Sequence, residues 1–253
     1  MTRADEIPDP SALLCEGCGY TLHDGPAPGN CPECGIPISD SLPELRHPAP
    51  WEAGQGVASI GAWLKTTGWV LFAPRGFFRH LSAIGPTRKS SIFGHVYRLL
   101  TSLLLGLAAS VHFDFLAVSQ TSRRIAQLEV PGLPFAIAAV LTFLAIELIS
   151  LAVVYLTAWE AGYRGLRLPR PIVARAIDYH AVHLVPPAIL GTVTVLAYDW
   201  LNRHDGNLAA AWIMTYIYTL AAEVIVSAGY LFVTYWAAMR NLMYANAGVV
   251  SSR

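Results

Sequence analysis

The chain has 253 residues, of which 54% are apolar and 13% charged, with a mean hydropathy of +0.45; soluble domains carry about a quarter charged residues. Seventeen Lys and Arg balance seventeen Asp and Glu, which argues against a global electrostatic footprint for nucleic acid. The composition predicts an all-α integral membrane protein.

In chain order, the polar, acidic stretch Met1–Ser11 has neither a basic n-region nor a following apolar run, so secretion is not expected. All four cysteines come next as two CxxC pairs, Cys15/Cys18 and Cys31/Cys34, with twelve residues between the pairs. Each pair holds two sulfurs close enough for one ion, and the glycine after it, Gly19 or Gly35, permits the tight turn that brings backbone amides to sulfur. The spacing predicts a four-thiolate site with Zn2+ as the expected metal and iron as its rival, since soft tetrahedral ligands suit both. Two short-loop disulfides are the other reading; they need an oxidising compartment, which the topology below opposes. A closed thiolate set leaves no position for water, so the site is expected to stabilise a small zinc ribbon over residues 1–38 rather than to hydrolyse anything. Between Cys15 and Cys34 there is no Lys or Arg, only Glu16, Asp24 and Glu33, so nucleic acid is not an expected partner.

Residues 39–59, rich in Pro, Gly and acids, read as a linker. Residues 60–81 mix aromatics with cations, and Pro74 divides them into two helical pieces. The segment is expected at the membrane interface, with rings at headgroup depth and Lys65, Arg75 and Arg79 facing anionic lipid; a fifth, short span is the alternative. The bundle, 82–245, contains four apolar spans, Tyr97–Val118, Leu133–Trp159, Ala181–Leu201 and Leu208–Met239, each able to cross a core about 30 Å thick. The last is long enough to project, tilt or break near Ser227 and Gly229. Arg75, Arg79, Arg88, Lys89 and Arg98 precede the first span, Arg164, Arg167, Arg170 and Arg175 fill the second loop, and Arg240 follows the last, against Arg123, Arg124 and Arg203 on the other side. The positive-inside rule then places both termini in the cytoplasm.

Five ionisable residues lie at membrane depth: His112, Asp114, Glu147, Asp199 and Glu223. Each must face protein, water or a partner. Glu147 and Glu223 near mid-span are candidates to share a proton or to pair with His112; interhelical hydrogen bonding and contact with a partner subunit are the competing roles. His180 and His183 share a helical face at the mouth of the third span and are candidate ligands for a metal or haem. The competing reading has Asp178 starting or capping a helix, with the histidines on lipid phosphate or loop carbonyls near Arg175. Pro186-Pro187 one turn later is expected to open carbonyls or to kink the span. Gly106, Ala108, Ala109, Ser110 and Ala209–Ala211 would permit close helix contact. Trp159, Tyr163, Trp200, Tyr235 and Trp236 fit interfacial anchoring at span ends. The chain has no GxGxxG, Walker, HExxH or GxSxG pattern, so no catalytic residue is assigned.

Phe72-Ala73-Pro74-Arg75-Gly76-Phe77-Phe78, followed by a multi-span bundle whose middle loop enters a helix containing Pro186, resembles the Yip-type membrane-protein family over Trp63 to Met239. That family is named for partners of Rab-like GTPases and typically has five spans. The CxxCGY and CPECG knuckles resemble small zinc ribbons fused to bacterial membrane proteins, notably in planctomycete-like lineages. The resemblance implies a non-enzymatic scaffold, adaptor or accessory subunit, with membrane lipids and a larger protein complex as partners. A small transporter or proton-conducting subunit is the first alternative, and a haem- or iron-associated redox subunit the second.

Overall fold

The computed structural model describes residues 12–22, 29–54, 58–85, 87–116, 132–205 and 210–246. Among the described residues, eight α-helices follow one another: α1 Pro50–Ala53, α2 Ala58–Phe72, α3 Pro74–His80, α4 Thr87–Leu116, α5 Leu133–Tyr163, α6 Arg170–His180, α7 Val185–Asp205 and α8 Ala210–Leu242. The described residues contain no strand, only isolated bridges, two of which close the cysteine knuckles at Leu14/Thr21 and Asn30/Pro37.

Prolines set several helix starts. Pro50, Pro74 and Pro171 lie in the first turn of α1, α3 and α6, where the missing N–H has no intrahelical partner to lose and the ring's fixed φ favours helix. Pro186 and Pro187 act in the same way: they occupy the first turn of α7, after a 3-10 turn at Ala181–Leu184. The expected disruption thus falls where the chain changes from 3-10 to α-helix. α5 ends in a Schellman motif. Gly165, at φ +69, donates its N–H to Gly162 O at 3.2 Å, and Leu166 donates to Ala161 O at 2.8 Å.

Among the described residues, four stretches are long and apolar enough to cross a membrane: Thr87–His112, Leu133–Tyr163, Arg170–His204 and Trp212–Leu242. They exceed the predicted spans at one or both ends. At about 1.5 Å per residue, a helix of 31 residues is roughly 46 Å long, more than the hydrocarbon core requires. α8 runs through Ser227 and Gly229 without interruption, so of the three forms expected for the last span the broken one does not occur.

The chain divides into two compact units: Met1–Gly94, Ser150–Val182 and Thr234–Arg253 form the first, and His95–Ile149 with His183–Val233 form the second. The first has an aromatic interior in which Trp51, Trp63, Phe93, Tyr179 and Phe77 follow one another with centroids 4.5 to 5.2 Å apart. Trp63, Phe77 and Phe78, expected at headgroup depth, pack into this interior instead; Phe72, 85% exposed, is the ring that faces outward. Pro74 does separate two helical pieces, with Ala73 at φ −140 between them. Residues 38–54 are folded as two 3-10 turns and α1, and bury Arg46 and Glu52. In the second unit α4 and α5 meet at Gly106, where a Cβ would lie 2.8 Å from the Ala139 backbone, so glycine permits the close approach the small residues suggested.

Candidate metal centre

Two turns, Glu16–Cys18 and Pro32–Cys34, present the four sulfurs. Gly19 N donates to Cys15 O at 2.8 Å and Gly35 N to Cys31 O at 2.9 Å. Both glycines take positive φ, +82 and +73, as the tight turn requires. The Sγ atoms of Cys15, Cys18, Cys31 and Cys34 all lie within 4.8 Å of one another and could hold a metal ion. Sγ of Cys15 is 3.4 Å from that of Cys34, and Cys18 is 3.7 Å from Cys31. Tetrahedral metal–sulfur bonds of about 2.3 Å require sulfurs roughly 3.8 Å apart, so the donor set fits an ion with small adjustment. Desolvation and hydrogen bonds from the other thiols push the Cys18 thiol up to about 12, over the opposing Tyr20 amide. At Cys31 the amides of Cys34 and Glu33, together with the thiols of Cys15 and Cys18, outweigh desolvation and lower the thiol to about 7. Sulfurs this close cannot all ionise by themselves; a bound cation would supply the balancing charge.

The knuckles are anchored by residues that motif reading passed over. Glu16, inside the first CxxC, takes a bidentate pair from buried Arg46, with Nε and Nη2 each 2.7 Å from a carboxylate oxygen. Arg46 also donates to Leu81 O at 2.8 Å, beyond the end of α3, and to Asn241 O at 2.9 Å in the last turn of α8. Cations are favoured at such helix C-termini. Asn246 accepts from Leu14 N at 2.9 Å and donates to Leu14 O and Ser41 O, each at 2.7 Å. Arg240 donates to Gly17 O at 2.8 Å. The Gly19 backbone lies against the Tyr244 ring, 2.5 Å from where a Cβ would be. A cation inside the knuckle's otherwise acidic surroundings was the one signal available for Arg46; for Asn246, 232 residues from Leu14, there was none.

The remaining candidates are not brought together. Glu147 accepts from His95 at 2.7 Å and lies 3.4 Å from Arg98 Nη1. Glu223 accepts from Thr194 Oγ1. His112 Nδ1 is hydrogen-bonded to the Tyr216 hydroxyl at 2.5 Å. Glu147, Glu223 and His112 thus each meet a different neighbouring side chain. Asp199 pairs with Arg203 one turn on. Asp114 lies in α4, and its side chain falls outside the described residues, as do Arg123, Arg124 and Asp24. His180 Nε2 meets Thr234 Oγ1 at 2.9 Å, and His183 Nδ1 meets the Tyr230 hydroxyl at 2.6 Å. Each histidine thus has a hydroxyl neighbour on α8. Asp178 caps no helix start; it lies in the last turn of α6, buried, and accepts from Ser91 at 3.1 Å and Ser90 at 3.4 Å. Arg98 and Arg175, counted above as loop cations, lie inside helices and are buried. Arg175 forms a bidentate pair with Glu52, 123 residues away, and donates to Ser82 O. Comparison with protein-family models, with curated proteins and with solved structures finds no match to this chain.

Proposed function

We propose that the chain is a non-enzymatic membrane scaffold or accessory subunit whose four-cysteine module is a structural zinc site, held on the cytoplasmic side of a bacterial membrane. The observation that carries this reading is the anchoring of the module. The donor set is complete with four thiolates, leaving no open coordination position for substrate, while Glu16 and Leu14 inside it bind Arg46 and Asn246. Ion binding and the docking of this surface are then one folding event, because the knuckle turns that present Glu16 form only around the sulfurs. Zn2+ would supply charge balance and no reactivity. The residues themselves position backbone and carboxylate.

The test is purification in mild detergent with metal analysis, a visible spectrum and identification of co-purifying proteins on one sample. A colourless preparation with one zinc per chain and a stoichiometric partner is expected, the partner being lost in Cys31→Ala. A coloured preparation containing iron or haem, or zinc-loaded protein with no partner that moves protons in liposomes, would overturn the proposal in favour of a redox or transport subunit. The Yip-type resemblance adds to the scaffold reading, and a GTPase among the captured proteins would be its specific signature.

A further inference from the structure

The first unit contains a cavity of about 530 Å³, inside the range of small-molecule sites. Ala158, Gly162, Leu166, Leu168 and Ile172 give it apolar walls. Two cations border it, but both are committed to protein. Arg175 is held by Glu52 and Ser82 O, and Arg167 donates to Ala12 O at 2.9 Å. The interior thus favours an apolar occupant. Its depth is marked by Trp159 and Tyr163, which neighbour the lining residues on α5, stack at 6.3 Å and are 71% and 82% exposed. Such rings sit at the boundary between headgroups and acyl chains.

Two exposed cations adjoin lining residues in the chain. Arg88 follows the lining residue Thr87, and Arg170 stands between Pro169 and Pro171, which also line it. The Arg170 guanidinium lies 4.0 Å over the Tyr155 ring, a stacking that does not use its in-plane N–H donors. Arg164 is offset by Glu160 at 2.6 Å, so the positive excess rests on Arg88 and Arg170. We propose that the cavity holds one acyl chain of an anionic membrane lipid whose phosphate lies against Arg88 and Arg170. A bilayer supplies that chemistry at this depth, and an uncharged ligand would leave the two cations without a role.

Full-length, metal-loaded protein in detergent micelles is titrated with dioleoyl phosphatidylglycerol or dioleoyl phosphatidylcholine and read by native mass spectrometry. One phosphatidylglycerol per chain is expected to survive detergent removal, in preference to phosphatidylcholine. Gly162→Phe should abolish retention by filling the cavity; a Cβ at Gly162 has nothing within 4 Å, so the backbone tolerates it. Ile172→Trp fills the site from the opposite wall and decides the matter if Gly162→Phe loses its metal. Arg88→Gln and Arg170→Gln should each weaken phosphatidylglycerol about fivefold and leave phosphatidylcholine unchanged. Equal retention of the two lipids, or undiminished retention in both filled variants, would overturn the proposal.

Discussion

The two units spend their polar groups differently. In the first, buried Arg46, Arg175 and Asp178 meet partners that are far away in sequence, and Arg46 and Arg175 each engage more than one. In the second, polar contacts between helices include the side-chain pairs His112 with Tyr216, His183 with Tyr230 and Thr194 with Glu223, while Leu148, Ile149, Val224 and Ile225 are more than 60% exposed. In the first unit, long-range pairing meets the heavy penalty on an unpaired buried charge. The second is organised for lipid, where apolar surface needs no cover and close helix packing carries the association.

Metal removal should break this contrast most strongly. Chelation or Cys31→Ala is expected to unfold residues 12–46, since a structural thiolate site contributes about 10 kcal/mol or more to its module. Hydrogen exchange should show loss of protection there and at 240–246, with 133–163 unaffected; unchanged protection at 240–246 would mean that docking does not depend on the ion. Next in size, Glu52→Ala leaves Arg175 buried without its carboxylate and should cost about 3–5 kcal/mol in thermal unfolding. The double replacement Glu52→Met/Arg175→Met should recover most of that loss, and a cost equal to the single variant would show that the pair is more than mutual compensation.

In the second unit, Gly106→Leu forces α4 away from Ala139 and should cost about 1–3 kcal/mol. Gly229→Ala, in open space on α8, serves as its control and should be neutral or stabilising. A smaller loss than for Gly106→Leu is expected for Glu147→Gln, which keeps a hydrogen-bonding group for His95 and should cost about 1 kcal/mol, with no change in proton flux across liposomes. A loss of flux in folded Glu147→Gln protein would turn this contact from helix glue into a conduction element.

Much of the architecture was legible where it depends on spacing and local composition. The apolar runs located the four long helices to within about a turn or two at most ends, and Pro74 located the break between α2 and α3. The cysteine spacing picked out the four residues whose sulfurs converge, because two knuckles closed by glycine turns need little beyond themselves. Other expectations were displaced by longer-range contacts. Arg175 looked like one of several loop cations, and only the placement of α1 beside α6 makes it the partner of Glu52. Glu147 and Glu223 looked alike at mid-span and were given different neighbours.

By itself, then, the sequence determined a helical chain with four membrane-length segments among the described residues and a four-cysteine cluster, because hydropathy over about 20 residues and CxxC spacing act locally. The tertiary structure decided which charges are buried and against what, that the cysteine module docks through Glu16 and Leu14, and that an apolar cavity opens beside Gly162. Those features arise only when segments up to 232 residues apart close on one another, and no local pattern encodes which carboxylate an arginine will reach.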